Sequence, residues 1–269
     1  MTSAPRRISS RDNPLVREVA ELAHSARERR KTGRSVIEGI HLCEAYGQRH
    51  GRPHAALVAD AALGHPQVAA LLQGHGIEPV LVADEVFGAM STLAQGVGIA
   101  FVIATPRPSL PERIEGDVMF LDRIQDPGNV GTLLRSGAAA GIPTVITAPG
   151  TAWCWSPKVL RAGMGAHFHL EIHESAAWDS VRDRLAGRVL GTRLQESASL
   201  FELDLIAPTV WVFGSEGEGV SANLAPDVDQ WVRIPQTDGV ESLNVAAAAA
   251  VCLFEQRRQR LARASMRSP

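Results

Sequence analysis

The chain has 269 residues, of which 45% are hydrophobic and 21% charged, with a formal net charge of −2. That is a globular composition, long enough for one large or two ordinary domains, and it argues against disordered and fibrous classes. No apolar run reaches the roughly 18 residues of a membrane span. The cysteines (Cys43, Cys154, Cys252) form no CxxC pair, so neither a disulfide framework nor a metal site is expected. The polar start lacks a signal-peptide core, and the expected location is the cytoplasm, with no membrane partner. The near-neutral total hides a split. Residues 1–34 carry nine Arg or Lys against four acids, and residues 256–269 carry five arginines and no acid. Basic ends on an acidic body suit an anionic polymer, although two solvated helix faces would give the same count.

In chain order, the first predicted element is a basic helix over about Pro14–Lys31, with Leu15, Val19, Leu22 and Ala26 at helical spacing. A strand near Ser35–Glu38, a helix near His41–Gly47 and a strand at Ala55–Ala59 follow. Next come a helix near Pro66–Gln73 and strands at Pro79–Ala83 and Ile99–Ala104. His41, His50, His54, His65 and His75 lack metal-ligand spacing and read as surface histidines. This unit reads as a recognition module. The proline-rich stretch Thr105–Gly116 reads as a linker.

The second unit opens with a strand at Val118–Asp122 and a helix at Val130–Ala140, stopped by Gly141 with Pro143 beyond. A strand at Thr144–Ala148 and a short helix around Lys158–Gly163 come next. Further strands are predicted at His169–Ile172, Arg188–Thr192, Thr209–Phe213 and Trp231–Ile234. A long alanine-rich helix from about Leu243 to Ala262 closes the chain. Strands alternating with helices predict an α/β fold in two units.

Three strand–loop–helix junctions in this second unit break the ordinary pattern. Leu121–Gly141 places Asn129 near a helix start, where exposed N–H groups favour a polar ligand, and Arg135 nearly two turns on. An N-cap and a surface charge are the plain alternative. Val212–Val220 is glycine-rich yet is neither GxGxxG nor a P-loop, so a dinucleotide or ATP is not supported. Ile234–Glu255 puts Ser242 and Asn244 at the start of the last helix, where Ser242 could simply be the N-cap. Three such loops can converge on one site.

These segments resemble the motifs of the SpoU (TrmH-type) branch of the SPOUT RNA 2′-O-ribose methyltransferases. Asn129 and Arg135 in DPGNVGTLLR match the first motif, Glu216 in FGSEGEG the second, and Ser242 and Asn244 in SLNVA the third. The first unit, through VIEGIHLCEAY, is similar to the L30e-like substrate-binding domain of ribosomal-RNA members. The resemblance implies an L30e-like domain over residues 1–105, a linker over 106–116, and over 117–269 an α/β methyltransferase domain with a deep trefoil knot. It implies S-adenosylmethionine as cofactor, contacted by Gly214, Ile234 and Leu243, and a homodimer formed through the C-terminal domain. It implies methylation of a ribose 2′-hydroxyl of RNA, foremost 23S ribosomal RNA, with Asn129, Arg135, Glu216, Ser242 and Asn244 at the catalytic site. Transfer RNA as substrate, or a non-catalytic RNA-binding or ribosome-assembly factor of the same fold, are the alternatives.

The family assigns the proton-accepting role to the residue matching Arg135, but a guanidinium is almost never neutral in a protein. Arg135 is therefore either a perturbed base or a phosphate clamp, and Glu216 either a positioning group or a structural anchor. One departure stands out. Where relatives read I-P-M-x-G, this chain has Ile234–Pro235–Gln236–Thr237–Asp238–Gly239, with glycine one residue late. On this reading the basic N-terminal helix meets RNA phosphates through Arg17, Arg27, Arg29, Arg30, Lys31 and Arg34.

Overall fold

The computed structural model describes residues 6–93, 95–237, 239 and 242–266; Asp238 of the altered loop lies outside them. The chain forms two compact units, one of residues 1–106 with 155–168, the other of residues 107–154 with 169–269.

The first unit begins with β1 (Arg7–Ile8), α1 (Pro14–His24) and α2 (Ala26–Thr32). The single basic helix expected over Pro14–Lys31 is thus two helices. Ser25 leaves helical geometry at φ −108° and ψ 110°, and its hydroxyl accepts from Glu28 N, so the same residue ends α1 and caps α2. The unit continues with β2 (Arg34–Glu38), α3 (Ile40–His50), β3 (Ala55–Ala59), α4 (Pro66–Gly74), β4 (Val80–Val82), α5 (Asp84–Met90) and β5 (Ile99–Ala104). Among the described residues its sheet runs β1-β4-β3-β5-β2, parallel from β1 to β3 and antiparallel beyond. Residues from Ile99 to Ile103 are buried without a break, as a central strand covered on both faces requires.

The second unit opens with β6 (Val118–Asp122), α6 (Pro127–Ala140) and β7 (Thr144–Thr147). Then comes α7 (Pro157–Gly163), within the segment that packs in the first unit rather than with the catalytic domain expected to hold it. The chain returns through β8 (Glu171–His173), α8 (Trp178–Val181), β9 (Arg188–Thr192), β10 (Ala198–Ser199), β11 (Thr209–Gly214), β12 (Gln230–Arg233) and α9 (Val245–Ser265). The described sheet is wholly parallel, in the order β10-β12-β9-β11-β6-β7-β8. Its central strands alternate between two covered faces. Val118, Phe120, Val210 and Val212 pack with Trp178, Val181 and Leu224, while Trp211 faces α9.

The expected linker is anchored at both ends. Thr105 is bonded into the first unit through Gly33 O and Ser35 Oγ, and Ile114 bridges to Leu185 in the second. Among the described residues no helix is long and apolar enough to cross a membrane.

Candidate active site

In the second sheet the chain runs from β6 outward through β7 and β8, then crosses to the other side of β6 to lay down β9 and β11. The strand order therefore reverses between β6 and β11, and open α/β sheets bind ligands at the carboxyl ends of strands at such a reversal. The first turn of α6, which follows β6, carries Asn129, and the loop leaving β11 carries Glu216.

Helix α6 starts earlier than expected. Pro127 takes its first position and the Asp126 side chain caps it by accepting from Asn129 N at 2.8 Å. Asn129 is therefore not the cap, and its side chain is free for other work. At α9 the expectation also shifts. Asn244, not Ser242, is the cap, its Oδ1 accepting from the N–H groups of Ala246 and Ala247.

That cap sets the polarity of a chain of hydrogen bonds. With Oδ1 of Asn244 held by the helix, its Nδ2 donates to Asn129 Oδ1 at 2.9 Å. Asn129 must then present its own Nδ2, which donates to Glu216 Oε1 at 2.6 Å. Three residues spread over 115 positions of sequence thus form one directed array, ending on a carboxylate.

Beside the array lies a cavity of ≈ 410 Å³, lined chiefly by the ends of β9, β11 and β12 and the start of α9. Gly214, Ile234 and Leu243, expected to contact the cofactor, all line it, as do Glu216, Ser242 and Asn244. Gly214 is obligatory: a Cβ there would overlap the backbone of Gly219 and Val220, closing off the tight Ser215–Gly219 turn. Arg135 is exposed on α6 and does not line the cavity. Burial pushes the Cys252 thiol up to about 12 and the thiols of Cys43 and Cys154 well above their usual range, so none of them is a thiolate nucleophile. No metal-binding cluster occurs among the described residues.

Several site residues escaped the sequence reading. Arg123 holds a left-handed conformation at φ 58° directly after β6, and its Nη1 donates to Glu218 at 2.6 Å. The pairing with Glu218 holds the Arg123 guanidinium above its usual pKa. Buried Asp122 accepts from Ser221 N at 2.7 Å. The two therefore tie the second loop to the first at two points just after Glu216. Arg193 lies over the Trp231 ring at 4.4 Å and lines the cavity with Gln236, whose Oε1 is buried without a partner among the described residues. Position just past a buried strand was the available signal for Arg123 and Arg193.

The basic face of the first unit needs one correction. Arg29 is 6% exposed and turns inward, where Nη1 donates to Leu22 O at 2.6 Å and Ala23 O at 3.2 Å. It closes the end of α1 and leaves the surface to its neighbours. Arg17, Arg27, Arg30 and Lys31 are exposed, and Arg34 is half-buried beside Glu18 at 2.6 Å.

Residues 117–254, just over half of the chain, match the SpoU rRNA Methylase family. The chain belongs to that family. Residues 13–100 match the MRM3-like substrate binding domain, over the stretch expected to be an L30e-like recognition domain. An uncharacterized tRNA/rRNA methyltransferase of Synechocystis is 34% identical, over 97% of both chains. The 23S rRNA (guanosine(2553)-2′-O)-methyltransferase RlmP of Bacillus subtilis is 32% identical, over 94% of this chain and 99% of that one. The AdoMet-bound rRNA methyltransferase of Sinorhizobium meliloti superposes with a TM-score of 0.81 at 27% identity, over 94% and 97% of the two chains. In this SpoU methylase the matched residues, apart from residues 155–168, fall in the same unit as the Asn244–Asn129–Glu216 array.

Proposed function

We propose that this chain transfers a methyl group from S-adenosylmethionine to a ribose 2′-hydroxyl of ribosomal RNA. The observation that carries the reading is the directed array Asn244–Asn129–Glu216 beside a cavity at the ends of β9, β11 and β12. Relatives named as 23S rRNA 2′-O-methyltransferases support it.

The cavity suits the cofactor. Its size falls within the roughly 300–1,000 Å³ of small-ligand pockets, and its walls are mainly apolar side chains and backbone. The unpartnered Gln236 Oε1 offers an acceptor to an amino or hydroxyl group. When bound, S-adenosylmethionine supplies an electrophilic methyl group on a sulfonium. Gly214, Ile234 and Leu243 would hold it, with Ser242 orienting polar groups at the entrance. Asn129 and Asn244 fix the Glu216 carboxylate. Arg135, an exposed guanidinium with five donors and no acceptor, holds an RNA phosphate. Arg17, Arg27, Arg30, Lys31 and Arg34 of the first unit extend the phosphate contacts.

A homodimer through the second unit is part of the same reading. Along α9, Val251, Phe254 (46% exposed) and Leu261 (56% exposed) recur at helical spacing on the surface, an apolar stripe suited to a symmetric partner. The family's knot, and a location in the cytoplasm, belong to this reading as well.

The test is incubation of purified protein with labelled cofactor and ribosomal RNA from a strain lacking the gene, in parallel with transfer RNA. The expected product is a 2′-O-methylated nucleoside from the ribosomal pool. Methyl groups on a base, or on transfer RNA alone, would overturn the assignment.

A further inference from the structure

S-adenosylmethionine carries a carboxylate on its amino-acid part, and a carboxylate drawn out of bulk water needs a charged donor. Among the described residues two cations line the cavity, Arg193 and Arg233. Arg233 is exposed and gives its Nη1 to Ser197 O, the carbonyl of a turn. Arg193 is the more firmly held of the two.

Arg193 directly follows β9, one residue beyond the register pair Thr192–Val232. Its guanidinium lies over the ring of Trp231, on the neighbouring strand, at 4.4 Å from the centroid. A cation over an aromatic face is attracted to it, so one face of the guanidinium is fixed. The edge is fixed as well. Nη2 donates to Glu196 O at 2.8 Å, across a turn in which Glu196 takes a left-handed φ of 46°. The Glu196 carboxylate stands off at 3.5 Å with its side chain 87% exposed, so water competes for it and it leaves the cation unsaturated. Nε and Nη1 of Arg193 make no hydrogen bond among the described residues. A planar cation held by a face and an edge, with donors left over and a place in the cavity wall, is pre-organised for a carboxylate.

We propose that Arg193, stacked on Trp231, clamps the carboxylate of the cofactor's amino-acid part. The proposal rests on the methyltransferase reading above and deepens it. An RNA phosphate is the other anion such a donor could meet. The carboxylate is favoured because Arg193 lines the same small cavity as Gly214, Ile234 and Leu243, whereas the phosphate-binding arginine of this reading, Arg135, lies outside it. The carboxylate takes no part in methyl transfer, and S-adenosylhomocysteine keeps it. Arg193 is therefore a binding residue, and its loss weakens cofactor and product together.

The experiment measures, by calorimetry on the full-length protein, the affinity for S-adenosylmethionine, S-adenosylhomocysteine and decarboxylated S-adenosylmethionine. Unsubstituted protein is compared with Arg193→Met, which keeps an apolar stem against Trp231 and removes the charge. A charge-assisted hydrogen bond at a partly exposed site predicts a loss of about 10-fold for the two ligands that carry the carboxylate. The decarboxylated ligand should bind the unsubstituted protein about 10-fold more weakly than the intact cofactor, and Arg193→Met should not weaken it further. Equal losses for all three ligands overturn the proposal, because Arg193 would then only shape the loop. Unchanged affinity for all three overturns it too, and a lowered affinity for ribosomal RNA alongside would reassign Arg193 to a phosphate. If the unsubstituted protein binds neither S-adenosylmethionine nor S-adenosylhomocysteine, the methyltransferase reading itself fails, and that result is distinct from the others.

Discussion

Helix α9 carries two polar networks that use similar side chains to opposite ends. At its start, Asn244 leads through Asn129 to Glu216, whose remaining oxygen is open to a cavity. Three turns on, Gln256 and Arg260 converge on Asp117. Gln256, 2% exposed, accepts from Trp211 Nε1 at 3.0 Å, and Asp117 takes donors from Thr209 N and both ends of the Arg260 fork. The leftover Arg260 donors reach Ile206 O and Ala207 O. The ion pair holds the Arg260 guanidinium above its usual pKa. The second network is closed: its principal donors and acceptors are matched inside the protein, so it can only stabilise. The first is closed at one end and open at the other, so it can act on something that enters.

Breaking the closed network should have the largest effect on folding and the least on chemistry. Asp117→Ala strands the Arg260 charge, the Gln256 amide and the Thr209 N–H. Removing one partner of a buried pair costs about 3–5 kcal/mol, and because Arg260 is one-third exposed, the lower end applies, about 3 kcal/mol. Denaturant unfolding should show that loss, while methyl transfer per folded molecule stays near that of the unsubstituted protein.

The open network should respond the other way. Asn129→Asp can still accept from Asn244, but it cannot donate to Glu216 and sets a like charge against it. Losing a hydrogen bond to a charged group at a reacting centre costs about 2–3 kcal/mol, or roughly 10²-fold in rate. Single-turnover transfer should fall by that factor with unfolding free energy nearly unchanged, since the pair is exposed to solvent. Equal losses of rate and stability would erase the distinction between the networks.

How much of this was legible beforehand follows the range of the interaction concerned. The strands at Ala55–Ala59, Ile99–Ala104 and Val118–Asp122 lie where their apolar runs predicted, because burial on both faces writes itself into consecutive residues. The break at Ser25 was hidden, since α1 and α2 share one apolar period and a single capping hydroxyl divides them. The short α5 and the two-residue β1 carry too few positions to show a period. Nothing local in Trp155–Phe168 signals that it packs in the first unit, because that depends on partners more than 50 residues away, such as the Arg161 donor to Thr92 Oγ1. In the site, motif spacing found Asn129, Glu216 and Asn244, yet their hydrogen-bond order depends on which residue caps α9. Composition favours Ser242 and Asn244 alike, and the backbone chose Asn244.

The same division between closed and open polar groups recurs on α2, at smaller scale. Arg29 and Arg27 are two residues apart, but Arg29 is consumed by the carbonyls of Leu22 and Ala23 while Arg27 faces solvent. If the basic face meets RNA, each phosphate contact removed should lower the slope of log affinity against log salt by about 0.7–0.9. Arg27→Gln should therefore flatten the salt dependence of ribosomal-RNA binding by just under one unit, with the unfolding midpoint unchanged. Arg29→Met should lower the unfolding midpoint of the first unit and leave that slope alone, because its charge never reached the surface. A slope that moves with Arg29 and not with Arg27 would mean that RNA binding opens the α1–α2 corner and recruits the inward arginine.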